Sequence, residues 1–116
     1  MDLSKLYLAN AFSLNMLELD KKDVVDIRIV KLKEDEVKYL LSRNEFESVI
    51  GHESTANIIS EKLGIKVEAS RKAIKLKEGD RVIVFQLLQR LPEGKVLSKE
   101  ELKQVPCSWF LVRVLG

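Results

Sequence analysis

Three short segments of this 116-residue chain hold the side chains that could do chemistry. In the first, the apolar run Leu6 to Ala9 breaks off into Asn10, Ser13 and Asn15, with apolar residues between them. In the second, the chain's one histidine, His52, stands among Gly51, Glu53, Ser54 and Thr55. In the third, Gln89, Arg90, Glu93 and Lys95 close another apolar run. Polar groups at the mouth of a buried strand are where a fold usually presents a ligand site. A histidine gives or takes a proton near neutral pH. A guanidinium fork suits phosphate oxygens, and the free N–H groups of a helix starting near Ser54 would suit an anion. Each residue also has a plainer use. His52 can be a histidine that only hydrogen-bonds locally, Arg90 a solvated charge, and Asn10, Ser13 and Asn15 turn and cap residues. Glu93 can orient a donor or simply pair with Arg90 or Lys95.

Much other chemistry is excluded. Glycines number five and form neither a dinucleotide fingerprint nor a P-loop. One Cys and one His cannot build a Cys/His zinc site, so neither a metal nor a cofactor is expected. A net charge of +2 is too small for a strongly basic nucleic-acid binder, and no DNA partner is expected. Cys107 has no cysteine partner, which fits a reducing cytoplasm. No long apolar run and no basic start before an apolar stretch are present, so neither a membrane span nor a signal peptide is expected. Lys and Glu are abundant while Asn and Gln are few, a bias shared with hyperthermophile proteins.

The elements that must position these residues are legible as patterns. Leu3 to Ala9 reads as an apolar strand, and Ser13 as the cap of a short turn through Met16 and Leu17. Val24 to Leu32 alternates, with Val25, Ile27 and Ile29 on one face and Asp26 and Arg28 on the other, as in a strand with one wet face. Glu34 to Ser42 places Val37, Leu40 and Leu41 at helical spacing behind acids in the first turn. From Ser54, Ile58, Ile59 and Leu63 form a second helical stripe, which Gly64 ends. Val67 to Leu76 reads as a poorer strand with a bulge, joined across Gly79 in a hairpin to Arg81–Leu88. Val82 to Phe85 is continuous and β-branched, as in a central strand covered on both faces. Ser98 and Glu101 form a capping box for a helix running to about Val105, where Pro106 stops it. Trp109 to Leu115 closes the chain as a strand. These patterns predict one domain over residues 1–116. It is α/β or α+β, a single mixed sheet of about five strands with short helices packed on it.

Over nearly its whole length the chain resembles the small viral anti-CRISPR ring nucleases that act against type III CRISPR systems. Those proteins occur in archaeal viruses and plasmids and in bacteria and their phages. The resemblance rests on Tyr7 to Leu17, Ile50 to Thr55 and Gln89 to Lys95, in the family's order. It implies a homodimer with a mixed sheet that binds cyclic tetra-adenylate at its interface and cuts it without metal, silencing the nucleases this messenger switches on. It implies further that His52 is the catalytic histidine, that Arg90 and Glu93 are the basic and acidic active-site residues, and that Asn10 and Ser13 contact ligand. Asn15, Gly51, Ser54, Thr55 and Gln89 complete the candidate ligand-binding set. Two departures are visible. Glu53 stands where archaeal viral members commonly carry Asp, and Pro92 where they commonly carry an acid. A viral protein of this kind would work in the host cytoplasm.

Three rival readings carry different expectations. A sequestering protein would bind the cyclic nucleotide without cutting it, using nearly the same residues. A small nucleic-acid-binding dimer is disfavoured by the near-neutral charge. A structural or partner-binding dimer would need none of this chemistry.

Overall fold

The run Val82–Phe85 is buried on both faces, so the strand that holds it must lie inside the sheet. The structure, a computed structural model, describes residues 4–89 and 97–116. Its strands are β1 (Leu6–Ala9), β2 (Ile27–Leu32), β3 (Glu47–Ser48), β4 (Arg81–Leu87) and β5 (Cys107–Val114). They form one five-stranded sheet in the order β2-β5-β4-β1-β3. β1 lies parallel to β3 and β4, and β5 lies antiparallel to β4 and β2. The helices are α1 (Glu34–Arg43), α2 (Glu53–Leu63) and α3 (Lys99–Lys103). The expected mixed sheet with short helices is therefore what the chain forms, an α+β fold.

Alternation along the strands divides the core in two. Leu6, Leu8, Ile83, Phe85 and Trp109 face the helices and pack with Val37, Leu41, Ile58, Ile59 and Leu63. Phe85 and Trp109 meet with ring centroids 4.9 Å apart and planes tilted by 54°. On the other face Tyr7, Ala9, Val82, Val84 and Val112 are covered by Leu17, Ile74 and Leu76, which come from irregular segments.

Local chemistry sets the helix limits. The Glu36 carboxylate accepts the Lys33 N–H at 2.8 Å, opening α1. α2 ends on Gly64, whose φ of 67° is the left-handed conformation that glycine takes without cost. Ser98 Oγ accepts the Glu101 N–H at 3.2 Å, and Glu101 Oε1 accepts the Ser98 N–H at 3.1 Å, the reciprocal box expected there. This helix stops at Lys103, two residues short of Val105.

Two expectations are corrected. Val67 to Leu76 is not a strand, and no hairpin forms across Gly79. β4 already has β1 on one side and β5 on the other, so no ladder is left for a third partner. The segment keeps only isolated bridges, Ile50 with Ala69 and Leu17 with Leu76. β2 is also wetter than its alternation implied. It is an edge strand, and Ile29 remains 58% exposed.

Asp80, which the sequence reading passed over, is buried at the start of β4. Its carboxylate accepts the Lys5 N–H at 2.8 Å and the Lys77 N–H at 2.9 Å. It thereby joins the entries of β1 and β4. The Tyr7 phenol is pushed above its ordinary pKa, chiefly by its own burial and next by the negative charge of Asp80. Asp80→Ala leaves both amides without their acceptor and is expected to lower unfolding free energy by about 3 kcal/mol. Urea denaturation measures this, and a loss below about 1 kcal/mol would show that water replaces the carboxylate at no cost.

Candidate functional site

Because β1, β3 and β4 run parallel, the chain leaves all three at the same edge of the sheet. Ligand sites in such sheets gather at the carboxyl ends of the strands. β1 ends at Ala9 and delivers Asn10, β3 leads through Val49 and Ile50 to Gly51 and His52, and β4 leads through Leu88 to Gln89. The Leu8 carbonyl accepts the Val49 N–H at 2.8 Å, carrying the β1–β3 pairing upward. Asn10 Oδ1 then accepts the Gly51 N–H at 3.1 Å. Two segments 41 residues apart in sequence are thus tied together, one residue before His52.

His52 is the N-cap of α2, with extended backbone at φ −133° and ψ 133°. Its carbonyl accepts the Ala56 N–H at 3.1 Å. Its ring is exposed, makes no capping bond, and has no hydrogen-bond partner among the described residues. The first-turn amides of α2 have no side-chain cap either, so they stay available to water or an anion. Ser54 is exposed in that turn, whereas Thr55 is only 7% exposed, its side chain turned under the helix.

Ser13 caps a 3-10 turn over Leu14–Met16 through its carbonyl, which accepts the Met16 N–H at 3.0 Å. Its hydroxyl is not used for capping. Ser13, Asn15 and Gln89 are all exposed. Arg90 and Glu93, with Pro92 and Lys95, lie outside the described residues.

Gly51 carries no strain that demands glycine. A Cβ there would meet Asn10 Oδ1 at 3.9 Å and Arg71 Cγ at 4.0 Å, both ordinary contacts. The same distances bring in a residue that sequence reasoning missed. Arg71 stands beside Gly51 because the Ser70 N–H donates to the Ile50 carbonyl at 2.9 Å, laying residues 69–71 along the extension of β3. It adds a cation to the corner that holds His52 and Glu53. No local pattern announced it, since its position depends on a single isolated bridge.

Cys107 offers no nucleophile. Burial pushes its thiol up, so the neutral form prevails near pH 7. Among the described residues no three or more His, Cys, Asp or Glu side chains converge as a metal site would require. No helix among them is long and apolar enough to cross a membrane.

Comparison with known proteins finds a family and several relatives. The family model described as STIV B116-like matches residues 6–109. Protein B116 of Sulfolobus turreted icosahedral virus has a solved structure that superposes with a TM-score of 0.77 at 36% identity, covering 95% of this chain and 99% of that one. Protein 26 of Sulfolobus islandicus filamentous virus is 33% identical over 95% of this chain and 92% of its own length. YddF of Bacillus subtilis is 33% identical over 71% of this chain and 78% of its own length, so relatives occur in a bacterium as well as in archaeal viruses. With most of its length matched by the family model and by these relatives, the chain belongs to the STIV B116-like family.

Proposed function

We propose that this protein is a metal-independent ring nuclease that binds cyclic tetra-adenylate across a homodimer and cleaves it to linear di-adenylates ending in 2′,3′-cyclic phosphates, switching off type III CRISPR signalling. The observation that carries this reading is the bond from Gly51 N–H to Asn10 Oδ1, which sets an exposed, uncommitted His52 beside open helix amides. Arg71 adds positive charge at the same corner.

Cyclic tetra-adenylate has internal two-fold symmetry, which a two-fold protein dimer can share. Each protomer then offers one His52 to one of two opposite phosphodiesters. The ribose 2′-hydroxyl already lies next to the scissile phosphorus and attacks in line. The 2′-oxygen–phosphorus bond forms as the bond to the 5′-oxygen breaks; the 2′-hydroxyl proton passes to water, and protonated His52 donates to the leaving 5′-oxygen. Arg90, the first-turn amides of α2 and Arg71 hold the phosphate and offset developing charge. Asn10 fixes the Gly51–His52 backbone, and Glu93 orients His52 or Arg90. Leu14 and Leu88 are 71% and 58% exposed in the segments that leave β1 and β4, giving apolar surface beside the site for the second protomer.

The test is incubation with labelled cyclic tetra-adenylate in excess chelator, with three- and six-membered rings in parallel. Product with cyclic-phosphate ends is the expected result. Tight binding with no product would make this a sequestering protein, and no binding would remove the reading altogether. Sedimentation at micromolar concentration is expected to show a dimer; a fully active monomer contradicts the shared site. Arg90→Ala is expected to weaken ligand binding by about 1.5–3 kcal/mol, the usual worth of a charged hydrogen bond to phosphate. Titration calorimetry measures it, and an unchanged dissociation constant and rate would leave Arg90 as a solvated charge.

A further inference from the structure

We propose a second ligand site, at the opposite edge of the sheet, that takes a nucleoside polyphosphate. The observation is a row of three arginines. Arg28 of β2 lies directly across from Arg113 of β5, and Arg113 directly across from Arg81 of β4. Strand alternation puts all three on the helix-bearing face, because Ile83, Phe85 and Trp109 on the same parity belong to that core. Like charges directly opposite one another destabilise a sheet. None of the three has an ion-pair partner among the described residues. Three uncompensated guanidinium groups on neighbouring strands are the arrangement a bound polyanion would stabilise.

The geometry limits the anion's size. Neighbouring strands lie about 4.8 Å apart, so the row spans about 10 Å. Each guanidinium presents a planar fork that takes two phosphate oxygens. Asp26, two residues before Arg28 on the same face, flanks one end of the row. At the other end, Arg81 lines a cleft of about 460 Å³ together with Lys5, Asn44, Glu45, Phe46 and Glu47. That volume falls within the range of small-molecule sites. The cleft's chemistry differs from the row's. The Asn44 side-chain amide N–H donates to the Leu40 carbonyl at 2.9 Å, leaving its Oδ1 as an acceptor, and Glu45 supplies a carboxylate. Such acceptors suit the amino and hydroxyl groups of a nucleoside and repel phosphate. The phosphates therefore lie over Arg81, Arg113 and Arg28, with the nucleoside in the cleft. A longer phosphodiester chain would run from the arginines onto Glu45 or Asp26, which argues for a short oligophosphate over a nucleic-acid strand. The row lies at the entry of β4, whereas His52 lies beyond the carboxyl ends of the parallel strands, so the two sites are separate.

Titration calorimetry with ATP, inorganic triphosphate and a single-stranded oligonucleotide, all in chelator, tests this. ATP is expected to bind more tightly than inorganic triphosphate, and Arg113→Ala and Arg81→Ala are each expected to weaken ATP about tenfold or more. Removing the middle charge relieves repulsion, so Arg113→Ala is expected to melt no lower than the wild type. Arg28→Ala, on the exposed edge strand, repeats the affinity test if either variant folds poorly. The proposal is overturned if ATP fails to bind at millimolar concentration or if the arginine variants bind it unchanged. It is equally overturned if inorganic triphosphate matches ATP, or if the oligonucleotide binds more tightly and displaces it.

Discussion

His52→Ala is expected to slow single-turnover cleavage of cyclic tetra-adenylate by about 10²-fold or more, the usual worth of a positioned general acid. Affinity for the ring is expected to change little, because in the proposed site Arg90, Arg71 and the amides of α2 also hold the phosphate. The fold should be untouched as well. His52 caps α2 through backbone alone, and its ring makes no hydrogen bond among the described residues. Wild-type cleavage is expected to be indifferent to chelator. Rapid-quench measurement on enzyme in excess over ligand separates this chemical step from product release. A variant that cleaves at the wild-type rate would return His52 to a local structural role. Loss of cleavage on chelation would require a metal that the proposed mechanism lacks.

The largest stability effect is expected at Phe85. It lies 1% exposed in the central strand and packs against Trp109. Phe85→Ala is expected to cost about 3–5 kcal/mol, combining lost burial with the cavity left behind. Domains of this size are often stable by only about 5–15 kcal/mol, so the variant would sit near the margin of folding. Phe85→Leu keeps most of the volume and is expected to lose roughly 1.5 kcal/mol or less. Paired denaturation curves for the two variants give both numbers. A loss under about 1 kcal/mol in the alanine variant would mean that the helices close over the gap, and that the core between α2 and β4 is loosely packed.

How far the fold was legible depended on whether a residue's environment is set by its neighbours in sequence. Val82 to Phe85 could only be central, and the structure places it there with both faces covered. Ser98 and Glu101 sit three residues apart, so their reciprocal bonds follow from local geometry. Gly64 ends α2 for the same kind of reason. β3 was missed because it is the polar pair Glu47–Ser48, a strand only by virtue of lying beside β1. The segment 67–76 was misread because its apolar residues serve as a cover for the sheet and not as a member of it. Within the candidate site, Asn10 and His52 stand out by residue type. That Asn10 holds the amide next to His52 was not visible until β1 and β3 were paired. Arg71, Asp80 and the arginine row likewise acquire meaning only from register.

The two faces of the sheet are roofed by different materials, helices on one side and irregular chain on the other, and this difference sets which amides exchange with solvent first. α-Helical amides under a packed face are protected by repeating bonds, so their exchange should report opening of the whole molecule. The opposite roof is clipped together around one bridge, Leu17–Leu76, where the Leu76 N–H donates to the Met16 carbonyl at 2.6 Å and Lys75 Nζ donates to the Leu17 carbonyl at 3.4 Å. Release of that clip frees both covering segments together. One of them is the segment that carries Asn10, Ser13 and Asn15. Deuterium uptake in residues 10–20 and 70–78 should therefore rise in step and well before that of α2, and a ligand seated on Asn10 should slow both stretches at once, including the one it never touches.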